Sequence, residues 1–151
     1  MLIDLDDWLL LLSSGIGGAR ANDGGYVCAL LDGKLHQLHK LLMPSTGGID
    51  HINHDGMDNR RSNLRKANQS VNNMNKSMRQ DNSSGTMGVY RRRRKVGYRY
   101  IAEIKKAGKM INLGSFTDKQ DAIAARKAAE VKYGFHPNHG KTREEIAQQS
   151  N

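Results

Sequence analysis

The sequence predicts an α+β protein made of two small modules, and three observations predict it. Hydrophobic residues make up 37% and aromatic residues 5% of 151 residues, which suits two modest cores better than one large one. The first half alternates short apolar runs with turn signals and then carries one apolar stripe at helical spacing. The second half shows three strand patterns followed by a helix marked at both ends.

Charge narrows the partner. The formal net charge is +9, and residues 82–151 carry fifteen Lys and Arg against six acids. Residues 1–25 are acidic, with Arg20 against Asp4, Asp6, Asp7 and Asp23. A basic surplus concentrated in one half points to a polyanion, most simply nucleic acid. Cys28 is the single cysteine, so neither a disulfide framework nor a cysteine-based zinc site is expected, and a reducing compartment fits. The apolar run Trp8–Leu12 is short and follows acids rather than a basic start, so no secretory signal is expected. No stretch approaches transmembrane length, and no membrane association is expected.

The elements follow in order. Leu2–Leu12 suits a short helix, and residues 13–25 read as a glycine-rich loop of unassigned role. "YVCALLDGKLHQL", residues 26–38, reads as a hairpin turning at Asp32-Gly33. "HKLLMP" suits a short helix stopped by Pro44. Residues 48–53 alternate as a short strand, and Asp55-Gly56 is the next turn. A helix is expected from Ser62 or Asn63, with Leu64, Ala67, Val71 and Met74 as its apolar stripe. Asn68 and Asn72, four apart, share a neighbouring face; Asn73 and Asn75 are expected in solvent, and Met74 and Met78 in the core. Residues 79–85 read as a polar linker.

Beyond it, "GVYRRRR", "YRYIAEIK" and "KMINLGSF" are strands broken at Val96-Gly97 and Ala107-Gly108. "TDKQDAIAARKAAEVKYG" is a helix, with Thr117 and Gln120 as a capping box and Gly134 as the C-terminal stop. Ala122, Ala125 and Ala129 give it a small-residue face that can lie close on a sheet. The stretch from Phe135 reads as a loose polar tail, with His136 and His139 solvated and a turn of helix near 143–149.

The chemistry concentrates in "GGIDHINHDGMDNRRSNLRKANQSVNNMN", residues 47–75. Asp50 is a hard oxygen donor, and His51 can accept a proton near neutral pH. Neighbours on a strand point to opposite faces, which opposes joint use of the pair unless the strand is twisted or ends there. A helix packed across the strand would bring in the Asn72 carboxamide. Carboxylate, carboxamide, water and a phosphate oxygen suit Mg²⁺, Mn²⁺ or Ca²⁺. An ion beside a general base is equipment for phosphodiester hydrolysis.

Asp50-His51, Asn63 twelve residues after His51 and Asn72 nine further on resemble the HNH nuclease motif, in the variant that ends in Asn. "LHKLLM" and "DHINHDGMDNRRSNLR" are very similar to HNH homing endonucleases of phage and intron type, over roughly residues 26–80. The resemblance implies a ββα-metal module around one divalent ion, Mg²⁺ or Mn²⁺. It implies His51 as general base, Asp50 and Asn72 as metal ligands, and Asn63 as the brace of the loop that orients His51. It also implies a first strand distorted at Asp50 and His51, which removes the objection above.

"GVYRRRR", "YIAEI", "LGSF" and the alanine-rich helix resemble the AP2/ERF DNA-binding domain over roughly residues 84–135. That family is a three-stranded antiparallel sheet packed on one helix, with the sheet in the major groove. The resemblance implies Tyr100, Ala102 and Ile104 against the helix and Tyr90, Arg92, Glu103 and Lys105 toward DNA. Asn112 stands where plant members often place Trp, so base-specific roles are not carried over.

The expected organisation is an unassigned segment 1–25, a nuclease module 26–78, a linker 79–85, a DNA-binding module 86–136 and a tail 137–151. The expected function is a site-specific homing endonuclease that hydrolyses or nicks duplex DNA, with Arg60, Arg61, Arg65 and Arg94 as further DNA contacts. A monomer without an obligatory protein partner is expected, in the cytoplasm of a bacterial host and encoded by a phage or mobile element. Three other readings compete. A DNA-binding transcriptional regulator with an inert HNH-like domain would not need all of Asp50, His51, Asn63 and Asn72. Zinc on His36, His39, His51 and His54 leaves Asp50 unused and pairs histidines across opposite strand faces. An RNA-binding accessory protein would want exposed aromatics for stacking.

Overall fold

The computed structural model describes residues 1–79, 81–82 and 84–149. The fold is mixed α and β, with three small antiparallel sheets and five helices among the described residues. The chain packs as two units, Met1–Asn73 with the segment from Arg143, and Met74–Thr142.

The first unit opens with α1, Leu5–Ser13, followed by β1 (Ala19–Ala21), β2 (Val27–Leu31) and β3 (Lys34–Gln37). These three strands form one antiparallel sheet in the order β1-β2-β3. Asp32 and Gly33 both take positive φ, 50° and 73°, as a two-residue turn matched to strand twist requires. The next helix, α2, covers Leu38–Leu42 and stops before Pro44. Short strands β4 (Ile49–His51) and β5 (Leu64–Lys66) pair antiparallel, with Asp50 opposite Arg65 and His51 opposite Leu64. Helix α3, Gln69–Asn73, follows. The core joins Leu11, Ile16, Val27, Ala29, Leu38, Leu42 and Leu64, with Ile3, Trp8, Ile49 and Met57 packed at its margin. Full burial of Leu38 and Val27 contributes about 1.5–3 kcal/mol each.

The second unit is a three-stranded sheet under one helix: β6 (Val89–Arg93), β7 (Tyr98–Lys106), β8 (Lys109–Phe116) and α4 (Lys119–Lys132). Val89, Ala102 and Ala122 form its core, with Tyr100, Leu113, Phe116, Ile123 and Ala125 packed on them. The small side chains on α4 permit that close approach. A register shift at Ala102/Glu103 bends β7 against β8. At the end of α4 the Gly134 N–H donates to the Val131 carbonyl and the Phe135 N–H to that of Glu130, with Gly134 at φ 70°, which is a Schellman stop. The last helix, α5 (Arg143–Gln148), belongs to the first unit and buries Ile146.

Several local expectations are corrected. No helix begins at Ser62 or Asn63: residues 61–63 form a 3₁₀ turn, and Leu64–Lys66 are spent pairing with β4. Leu64 and Ala67 are buried without being helical, so an apolar spacing of three proves compatible with a strand followed by a turn. Met74 lies past α3. The α4 cap is Asp118, whose side chain accepts from the Gln120 N–H, rather than Thr117. The loop at 13–25 contains β1. Asn75 and His139 are buried, not solvated.

Candidate active site

The chain turns immediately after His51, the last residue of β4. Asp50 and His51 accordingly serve different neighbours. The Asp50 carboxylate accepts from its cross-strand partner, with Arg65 Nε at 3.0 Å and Nη2 at 2.7 Å from Oδ2. The His51 ring points into the unit and is 6% exposed. It meets the His39 ring edge-on at a 4.9 Å centroid distance and the Tyr26 ring at 5.8 Å. Tyr26 also meets His39, at 5.7 Å, so three rings share one pocket.

Asn59 sets the imidazole. Its Nδ2 donates to the Gly56 carbonyl, which turns Oδ1 toward the ring, 3.4 Å from His51 Nε2. An amide oxygen only accepts, so this contact is a hydrogen bond in the tautomer that carries the proton on Nε2. Burial pushes the His51 pKa down, while the Asn59 hydrogen bond and Asp50, Asp55 and Asp58 pull it up. The balance favours the neutral ring, the form that can take a proton. His39 is pushed further, to about 4, by burial and then by His51 and Lys40.

The loop between the strands is built from its own polar side chains. Asn63 Nδ2 donates to Asn53 Oδ1 at 2.9 Å and to the Asp58 carbonyl at 2.8 Å. Asn63 Oδ1 accepts from the Asn53 N–H at 3.0 Å, and its carbonyl accepts from the Ile52 N–H. Asn63 thus ties the residues after His51 to those around Asp58. Asp58, 1% exposed, accepts from Asn53 and from Arg60, which holds its carboxyl below the usual range. Gly56 makes room for the hairpin: a Cβ there would lie 2.5 Å from the Gly25 carbonyl oxygen.

Asn72 sits on α3, whose start Asn68 caps by accepting from the Val71 N–H. Asn72 Oδ1 is shielded from solvent and receives no hydrogen bond. A shielded amide oxygen without a donor is costly and suits a hard cation. Asp50 adds a carboxylate oxygen of the same class. Among the described residues no group of three His, Cys, Asp or Glu is placed to hold a metal ion.

The arginines assigned to DNA contact near this site are engaged within the unit: Arg60 on Asp58, Arg61 on Asp7 and Arg65 on Asp50. Arg61, Arg65 and Lys66 also line an open groove of about 550 Å³ with Leu42, Met43 and Pro44. Sequence reasoning missed Asn59 and weighed His39 only within the zinc alternative. The spacing that marks His51 and Asn63 says nothing of which carboxamide reaches the imidazole. The burial of His39 depends on the packing of α2.

In the second unit, the β6–β7 register sets Tyr90 and Arg92 opposite Ile101 and Arg99, on the face away from α4. Glu103 and Lys105 share that face, opposite Asn112 and Met110. Tyr90 donates to Glu103 Oε1 at 2.9 Å, and Arg92 Nη2 donates to the Tyr90 hydroxyl at 3.3 Å. Lys105 and Arg92 are exposed, and Arg94 lies in the turn between the strands, its N–H donating to the Gly97 carbonyl.

No protein-family model matches the chain, and comparisons with curated proteins and with solved structures return no match.

Proposed function

We propose that the protein is a metal-dependent, site-specific DNA endonuclease of homing type, in which the first unit cuts and the second binds duplex DNA. The observation that carries the reading is the buried His51 imidazole beside Asn59, on the same short strand as Asp50, in a unit that also holds a shielded, donorless carboxamide oxygen at Asn72.

Asp50 and Asn72 are the residues that would hold Mg²⁺ or Mn²⁺. When bound, such an ion supplies charge stabilisation at the phosphate and the leaving 3′ oxygen. The chain's own residues do the rest. Asn59 holds the His51 tautomer, so the Nδ1 lone pair takes the proton of a water aimed at phosphorus. Asn63 holds the loop that carries Asn59, and burial between Tyr26 and His39 keeps the ring in one orientation. Lys66, with the ion-paired Arg61 and Arg65, lines the 550 Å³ groove and gives the phosphates of one strand a path. On the second unit, the Tyr90, Arg92 and Lys105 face, in a half that is strongly basic, supports duplex binding.

The test is cleavage of supercoiled duplex DNA with Mg²⁺, Mn²⁺ or EDTA, followed by mapping of the ends. The wild type cuts only with the ion. His51→Ala binds DNA as the wild type does and cuts about 10²–10⁴-fold more slowly. Equal rates for the two proteins, or unimpaired cutting in EDTA, refute the reading.

A further inference from the structure

We propose that the N-terminal segment through Asp7 is a positioning element for the His51 imidazole, an inference that rests on the nuclease reading above. Composition leaves this segment without a role. The structure gives it a specific one, through Asn59, whose side-chain oxygen faces the His51 ring.

Leu2 pairs with Asp58 as a one-residue parallel strand. Its N–H donates to the Met57 carbonyl at 2.8 Å, and its carbonyl accepts the Asn59 N–H at 2.7 Å. Asn59 is fully buried, so both its main chain and its side chain need partners. Its side chain spans Gly56 and His51, and its main-chain N–H is held by Leu2. The remaining loop ties, at Asn53, Asp55, Asp58 and Asn63, fix the chain on either side of Asn59 but not that N–H.

Two carboxylates pin the turn that follows. Asp4 Oδ2 accepts the Arg61 N–H at 2.8 Å. Asp7 takes the Arg61 guanidinium in a two-pronged pair, with Nε at 2.8 Å from Oδ2 and Nη2 at 2.7 Å from Oδ1. Asp7 is 6% exposed on a helix whose Leu11 enters the core, so α1 is locked to residues 57–61 by packing and charge together. The positions from Leu2 to Asp7 therefore bracket Asn59 on both sides. A shift of Asn59 by a fraction of an ångström would lengthen a 3.4 Å contact beyond hydrogen-bond reach and remove its hold on the imidazole.

The test uses the full-length protein. Leu2→Pro removes the N–H that pairs with Met57, while Leu2→Ala keeps the main-chain pairing and loses only a half-exposed side chain. Asp7→Ala breaks the Arg61 pair, and Asp7→Glu can restore it. Two quantities are read: the split of cleavage kinetics into kcat and KM, and the ¹⁵N shifts of the His51 ring, which report its tautomer. The expected result is kcat lowered about 10- to 100-fold in Leu2→Pro and Asp7→Ala, with KM for DNA unchanged. The His51 ring nitrogens in both variants then move toward a tautomer average, and Leu2→Ala and Asp7→Glu stay near wild type. An unchanged His51 spectrum in folded Leu2→Pro overturns the proposal, whatever happens to the rate. If Asp7→Ala fails to fold, the Leu2 pair decides alone. If the wild type cuts no DNA, the nuclease reading fails, while the ring shifts of Leu2→Pro still decide whether the segment positions His51.

Discussion

Acidification should destabilise the first unit, with the larger share falling on His39 beside His51. Its ring is 5% exposed, packed between Tyr26 and His51, and its pKa is lowered from 6.5 to about 4. The unfolded chain therefore binds a proton that the folded chain refuses throughout that interval. Stability is complete above pH 6.5 and falls as pH drops toward 4. At about 1.4 kcal/mol per pH unit the full loss is about 3 kcal/mol. Residual solvent screening brings this nearer 2 kcal/mol. That is a large share of the 5–15 kcal/mol typical of a domain. The assay is urea unfolding between pH 7.5 and 4.5, followed by the fluorescence of Trp8, the sole tryptophan, which packs on the core of this unit. His39→Leu should be less stable than wild type at pH 7.5, because the ring contacts are lost. It should also lose less on acidification, so the two curves converge. Parallel curves would refute the argument, since the proton uptake would then lie elsewhere.

Two further outcomes follow from the geometry. Gly56→Ala should cost about 1–3 kcal/mol, because its Cβ would strike the Gly25 carbonyl and the Tyr26 ring; an unchanged urea midpoint would show that the loop gives way freely. Replacing both Arg92 and Lys105 with Ala should weaken binding to all duplex sequences alike and flatten the log–log salt dependence by close to 2 units; an unchanged slope would mean that this sheet face does not meet phosphates.

Legibility in the sequence tracked how local each signal is. The Asp32-Gly33 and Ala107-Gly108 turns could be read because a two-residue turn with positive φ leaves few residue choices. Alternation placed Tyr100 and Ala102 on the face of β7 that packs with Ala122 of α4, but it gave no sign that Ile101, on the other face, is buried as well. The span Leu64–Ala67 misled because a strand that ends in a turn can place apolar residues three apart, as a helix does. Partners supplied from far along the chain were not legible. The Arg61 partner Asp7 lies 54 residues away, and nothing in the spacing of the acidic N-terminus announces it. The same holds for His139, whose polar surroundings in sequence suggested solvent. In the fold, its Nε2 lies 3.2 Å from Arg126 Nη2, and its ring stands edge-on to Phe135.

That last contact matters to anyone who would transplant the second unit. Arg126 is 4% exposed and shares its guanidinium among Glu130, the Glu103 carbonyl and His139, so three separate stretches of chain converge on one cation. A graft cut at residue 136, where strand and helix patterns end, would sever one of them and open a buried charge to water. The portable piece runs to Thr142, and its outermost residues act less as a tail than as a stopper over the arginine.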